Sequence, residues 1–148
     1  MASPQEIHAQ VSYELAVYRE QLNMIKRETE RVSLTTIDLS NALKTAENLA
    51  PQKVLIPIGG GALAKGNVSQ TQILVPVGAE YLIEMEREHA IEEFKKRIDA
   101  TKKAVEKLTE EFNKITLKLK DVSGQLQQLQ VQTQINARVD SNIRDDYI

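Results

Sequence analysis

The sequence predicts a mainly α fold with a small β portion: a long antiparallel two-helix coiled coil whose helices are joined by two β-hairpins. Three observations carry this. One apolar seam steps by alternating threes and fours through Leu15, Tyr18, Leu22, Ile25, Thr29, Val32, Thr36, Leu39, Leu43 and Ala46. A second runs Ile91, Phe94, Ile98, Thr101, Val105, Leu108, Phe112, Ile115, Leu119, Val122, Leu126 and Leu129. A mean spacing of 3.5 is the signature of helices that supercoil around one another. Between the seams lie two near-copies, Val54–Gly59 and Ile73–Gly78, each a run rich in β-branched residues that ends in glycine.

The first helix is expected over about residues 4–49. Ser3 reads as its N-cap, Pro4 as its first helical residue and Glu6 as the third member of a capping box, and neither Gly nor Pro recurs before Pro51. At ~1.5 Å per residue it is a rod of roughly 65–70 Å. Each near-copy downstream has a second candidate strand, Ala62–Lys65 and Glu80–Glu84, so residues 53–84 read as a duplicated hairpin. Pro57 and Pro76 cannot donate to a ladder and belong at edges or bulges. Hairpins this short are marginal alone, and their edges and apolar faces call for pairing with other chains. The second helix is expected from about residue 85 to 142, with a short tail after it. Gly124 is its one internal weak point, and its exposed faces carry the pairs Glu92/Lys96, Glu93/Arg97, Asp99/Lys103 and Glu110/Lys114. The whole, 1–148, reads as a single domain.

Composition narrows the function. Hydrophobic residues make up 41% and aromatic ones 4%, as expected when the core is only a seam. A formal charge of −2 gives no basic face for nucleic acid. The absence of cysteine excludes thiolate metal sites and thiol nucleophiles. No secretory leader and no window of ~20 apolar residues is evident, so no membrane partner and a cytoplasmic location are expected.

The run Gly59-Gly60-Gly61-Ala62-Leu63-Ala64-Lys65-Gly66 fails as a phosphate cradle, because Lys65 precedes Gly66 and the residues after it are β-like. Turn and bulge glycines explain it better. His8 and His89 lack neighbours at ligand spacing, and a slender coiled coil offers no cleft for paired acids or a triad. The sequence therefore predicts no catalytic residues, no metal, no cofactor and no enzyme. Its function must reside in surfaces.

The most telling irregularity lies where the second helix outruns the first. Beyond Leu129 the apolar residues Val131, Ile135, Val139 and Ile143 recur at steps of four, on a helix rich in glutamine. Two readings stand at this point. The stripe is a fraying end that touches nothing, or it is an uncovered apolar tip joined by Ile7, Val11 and Tyr13.

The order helix, two hairpins, helix, with particular residues, resembles the α-type subunit of prefoldin. The resemblance rests on Val54-Leu55-Ile56-Pro57-Ile58-Gly59-Gly60-Gly61, on Ala64-Lys65-Gly66-Asn67-Val68, and on Ile73–Glu84 with its closing Ala79-Glu80-Tyr81-Leu82-Ile83-Glu84. Two departures are Pro76, where the family has a small or polar residue, and Glu80, where it often has glycine. The resemblance implies an ATP-independent holdase: a hexamer of two α and four β-type subunits whose hairpins close a β-barrel platform. Unfolded clients would be held at the coiled-coil tips and passed to a group II chaperonin. Val54, Leu55, Ile56, Ile58, Ile73, Leu74, Val75 and Val77 would then be assembly contacts. Ile7, Val11, Tyr13, Val131, Ile135, Val139 and Ile143 would be client contacts. The rival expectation is a scaffolding or tethering coiled coil that binds one folded partner.

Overall fold

The computed structural model describes the backbone of residues 2–145 and the side chains of residues 2–143. In chain order it contains α1 (Pro4–Glu47), β1 (Gln52–Gly59), β2 (Ala62–Val68), β3 (Ile73–Gly78), β4 (Tyr81–Met85) and α2 (Arg87–Asp145). The chain divides into two compact units. One comprises residues 2–30 with 106–145, and the other Arg31–Val105.

The capping box forms at the start of α1. The Ser3 backbone N–H donates to Glu6 Oε2 at 2.6 Å, and the Glu6 N–H donates to Ser3 Oγ at 3.3 Å. At its other end α1 stops at Glu47, two residues before the expected position. The Asn48 side chain donates to the Lys44 carbonyl at 2.7 Å, and Arg87 Nη1 donates to the Glu47 carbonyl at 3.2 Å. Pro51 disfavours helix at Ala50, so these two donors satisfy carbonyls that no further turn would reach. α2 starts later than expected because Met85 is a strand residue, paired with Ile73. It runs on to Asp145, so the tail expected after Asn142 begins as helix, and residues 146–148 lie outside the described residues.

Every seam position on both helices is buried or half-buried except Phe112, which is 37% exposed. In the first unit Val11, Leu15 and Val122 form a buried cluster, with Tyr18, Leu119, Leu126 and Leu129 packed around it. In the second, Ala46, Ala90 and Phe94 are buried together, backed by Leu39, Leu43 and Ile91. Early residues of α1 meet late residues of α2 in the first unit, and late meet early in the second, so the helices pair antiparallel. The seam threonines keep their hydroxyls satisfied. Thr29 donates to the Ile25 carbonyl at 2.8 Å. Thr101 Oγ1 donates to the Ile98 carbonyl at 2.8 Å and accepts from Thr36 Oγ1 at 2.8 Å. Such bonds let a hydroxyl occupy an apolar seam without the cost of an unmet donor.

The hairpins form two separate two-stranded antiparallel sheets. Their backbones repeat each other. Each register shifts once, between Pro57 and Gly59 and between Pro76 and Gly78. A glycine with φ of 106° or 110° marks that bulge, and two further residues of positive φ close the turn. In the first hairpin these are Gly60 and Gly61. In the second they are Ala79 (φ 48°) and Glu80 (φ 63°). Two consecutive left-handed residues make the turn that matches strand twist, and glycine is the residue that adopts it without a Cβ penalty. Strand β2 is longer than expected, reaching Val68, because β1 starts at Gln52 and the two residues pair. Strand β4 starts one residue late because Glu80 belongs to the turn.

The turns and the cap each lead to a measurable outcome. The left-handed conformation costs a non-glycine residue about 1–2 kcal/mol. Ala79→Gly and Glu80→Gly should each raise the urea midpoint of the chain, whereas Gly60→Ala should lower it. At the helix start, the Ser3 N–H and hydroxyl hold the exposed Glu6 carboxyl below its ordinary range. The folded value is the lower one, so the cap is fully present above the carboxyl's ordinary value and is lost as pH falls through the lowered one. Amide protection in the first turn of α1 should therefore drop in acid, and Glu6→Gln should flatten that dependence.

Candidate interaction surfaces

Strand alternation turns one side of the second hairpin onto the helices. Val75 is fully buried in the cluster of Ala46, Ala90 and Phe94, with half-buried Ile73 and Met85 beside it. Arg97 fixes the same hairpin from α2. Its Nη1 donates to the Pro76 carbonyl at 2.8 Å, while its Nε pairs with Glu93 Oε1 at 2.9 Å. An Arg held by a carboxylate one helical turn back is pre-oriented for that carbonyl, and both side chains are about two-thirds shielded. Proline has no N–H for the ladder, but its carbonyl is used. Gln72 Nε2 donates to Glu86 Oε1 at 2.9 Å, joining the start of β3 to the approach to α2.

The first hairpin has no buried residue. Val54, Ala64, Gly66 and Val68 are half-buried, and Leu55, Ile56, Ile58 and Leu63 are exposed. Space within it is tight at one point, where a Cβ on Gly66 would stand 2.7 Å from Ile56 Cδ1. The missing side chain there lets Ile56 lie across the strand pair. On the second hairpin Leu74, Val77, Tyr81, Leu82 and Ile83 remain exposed. An apolar groove also runs between the end of α1 (Ala42, Ala46, Leu49), Val68 of β2 and Leu74 of β3. Both strands of each sheet are edges, so apolar faces and unpaired backbone lie open together.

These positions revise the expected assembly set in one respect. Leu55, Ile56, Ile58, Leu74 and Val77 are open, whereas Val75 is spent inside the chain and cannot be an assembly contact. The reason is the two-residue strand period: Ile73 and Val75 share the face that meets α1 and α2. Leu63, Tyr81, Leu82 and Ile83 are equally open, and sequence reasoning missed them. The proline and glycine signals of the duplicated pattern mark the first strand of each copy, although the second strand completes the same two faces.

The other surface lies where α1 begins and α2 ends. Val131, Ile135, Val139 and Ile143 are each 50–56% exposed, Ile7 is 38% exposed and Tyr13 71%. Val11 is corrected: it lies in the buried cluster with Leu15 and Val122 and is not an open residue. It stands four residues before Leu15, so it extends the seam by one more step. Tyr13 lies two positions further on, off the seam. Met24, Leu34, Ile37 and Leu117 are also exposed, scattered along the outer faces of the helices, as is common on protein surfaces. Among the described residues no three His, Asp or Glu side chains gather at metal-ligating distance, and no helix is long and apolar enough to cross a membrane.

Known proteins resemble this chain in both sequence and fold. The family model described as prefoldin subunit matches residues 18–132. The chain belongs to the prefoldin family. It is 32% identical over 126 residues to the prefoldin subunit alpha of Methanospirillum hungatei, covering 84% of this chain and 82% of that protein. It is 29% identical over 121 residues to prefoldin subunit alpha 1 of Methanocaldococcus jannaschii, covering 78% of this chain and 85% of that one. Among solved structures, a filamentous prefoldin from Methanocaldococcus jannaschii superposes with a TM-score of 0.65 at 22% identity, over 77% of this chain and 98% of that one. The prefoldin beta subunit from Thermococcus strain KS-1 superposes with a TM-score of 0.57 at 19% identity, over 82% of this chain and 90% of that one. These structural likenesses concern the fold. Family membership makes the chain a chaperone subunit of the prefoldin alpha kind, and the small sheets that do not close on themselves fit that architecture.

Val75 and Ile58 contrast a buried strand residue with an open one. Val75→Asp would bury an unpaired carboxylate and should cost the isolated chain about 3 kcal/mol or more. Ile58→Asp, at a residue 68% exposed, should leave the chain's own unfolding midpoint nearly unchanged. Urea titration of the two variants checks this.

Proposed function

We propose that this chain is the α-type subunit of an ATP-independent holdase that assembles through its hairpins and captures unfolded proteins where α1 begins and α2 ends. One observation carries the reading. The helix pair covers its own seam, while the exposed apolar side chains concentrate on the hairpins and on the last turns of α2. The first surface couples apolar side chains to free backbone edges, which suits strand pairing with a fixed partner. The second offers apolar side chains on a helix whose backbone is already satisfied, which suits contact with many sequences.

In this reading two copies join four β-type subunits, and the hairpins of all six close a double β-barrel platform. Leu55, Ile56, Ile58, Leu74 and Val77, with Leu63, Tyr81, Leu82 and Ile83, become buried there, and Val54 and Ile73 extend the same strands. Ile7, Tyr13, Val131, Ile135, Val139 and Ile143 take up apolar segments of clients, which pass to a group II chaperonin in the cytoplasm. No nucleotide, metal or cofactor enters the cycle, because capture and release use only reversible burial of apolar surface at about 25 cal/mol per Å².

Deleting residues 131–148 tests this. The remaining seam keeps Leu126 and Leu129 against Val11 and Leu15, so helix pairing and assembly with a β-type subunit should persist by native mass measurement. Protection of several unrelated aggregating proteins, monitored by light scattering, should be lost. Undiminished protection by the truncated complex would refute capture at this end. Protection confined to one folded partner would favour a tethering adaptor.

A further inference from the structure

The last part of α2 differs chemically from the rest of the chain. Residues 122–137 include no ionisable side chain, in a sequence that is 27% charged. Gln125, Gln127, Gln128, Gln130, Gln132 and Gln134 stand there instead, all of them exposed. One face of the stretch is a shallow groove lined by Gly124, Gln127, Gln128, Val131, Gln132 and Ile135, with no α1 residue along it. Gly124 opens one end of the groove, and packing does not require it: a Cβ there would meet nothing within 4 Å. A helix-interior glycine costs about 1 kcal/mol relative to alanine, and here no close contact repays it. Lys120 and Asp121 precede this stretch and Arg138 and Asp140 succeed it, one charge of each sign at either end. The first turns of α1 add only Glu6, engaged by Ser3, and His8, with Glu14 beyond them.

We propose that this groove binds extended apolar segments of unfolded chains through side-chain amides and aliphatic contact alone, without regard to the segment's charge. The inference rests on the client-capture reading above and adds the chemistry of the captured segment. An extended segment presents free N–H and C=O groups in nearly equal number. A glutamine amide both donates and accepts, so it answers either group, whereas a carboxylate or an ammonium answers one. Val131 and Ile135, one turn apart, supply the apolar contact. A helical segment would have satisfied its own backbone and would leave the amides unused. Charged side chains in these positions would select clients of opposite sign and weaken with salt.

The test uses the full-length chain assembled with a β-type subunit and two synthetic peptides that share one apolar core. One peptide is flanked by aspartates and the other by lysines. Both should bind the complex with affinities within about twofold of each other, at low and at high salt. The triple variant Gln127→Glu, Gln128→Glu, Gln132→Glu keeps residues of similar helix propensity. It should separate the two peptides by about tenfold at low salt, favouring the lysine-flanked one, and lose that separation at high salt. Wild-type complex that already separates the peptides by about tenfold would overturn the inference, as would a triple variant that binds both as the wild type does. Self-association of complexes that the triple variant abolishes would make a second copy the occupant and equally overturn it. Peptide binding undiminished by deletion of residues 131–148, which removes Val131, Gln132 and Ile135 from the groove, would instead refute capture at this end altogether, so the two failures are told apart.

Discussion

Two packed helices bury one stripe of each and nothing more, and the rest of this molecule is shaped by that limit. A seam with a spacing of 3.5 covers its own apolar residues and needs no third layer. Neither is there a third layer to spare. A hairpin set between such helices can lay one face on them, and a helix end that runs past its partner has nothing to lie on. The pattern of exposure agrees: seam residues are covered, with Phe112 the lone marginal case, while hairpin residues such as Leu55, Ile58 and Tyr81 are more than half exposed.

The two hairpins share a backbone but not a role. The second is anchored by Val75 in the buried cluster and by Arg97 on the Pro76 carbonyl, so its outward face is held in a defined position. The first has no buried side chain and keeps its shape through its ladder and its glycine turn. The glycine-rich turn stands in the hairpin with the least tertiary support. The strained turn of Ala79 and Glu80 stands in the hairpin that the helices hold. Strain persists where surrounding structure over-determines the conformation, and this distribution obeys that rule.

Much of this is legible in the sequence because it is periodic. The seams determine which helix faces meet, and the repeated Val-Leu-Ile-Pro-Ile-Gly and Ile-Leu-Val-Pro-Val-Gly runs determine two hairpins and their bulges. Features that escape sequence reasoning depend on partners distant in the chain. Which strand face meets the helices cannot be read from β3 alone, so Val75 is indistinguishable there from its outward neighbours. Val11 groups with Ile7 and Tyr13 by its nearness to the chain start, although counting four back from Leu15 places it in the seam. At the end of α1 the Glu47 carbonyl is met by Arg87, forty residues away, a partner that the local sequence does not reveal. The open side chains of β2 and β4 escape because the proline and glycine signals sit on the other strand of each pair.

The two open surfaces also differ in how strongly each could hold a partner. On the hairpins, backbone edges add directional hydrogen bonds to apolar burial, and the combination supports a durable and specific interface. On the last turns of α2 the backbone is satisfied, and each apolar side chain is already near half-covered by its own helix. The remaining gain per residue, at about 25 cal/mol per Å², is a fraction of a full burial. One helix end alone could therefore hold an apolar segment only weakly. Under the proposed capture of unfolded chains, useful affinity would require several such ends acting together, with effective concentration multiplying contacts that separately let go. In the proposed holdase the hairpins would gather those ends, and strength at the platform would then supply the avidity that lets weak helix ends remain releasable.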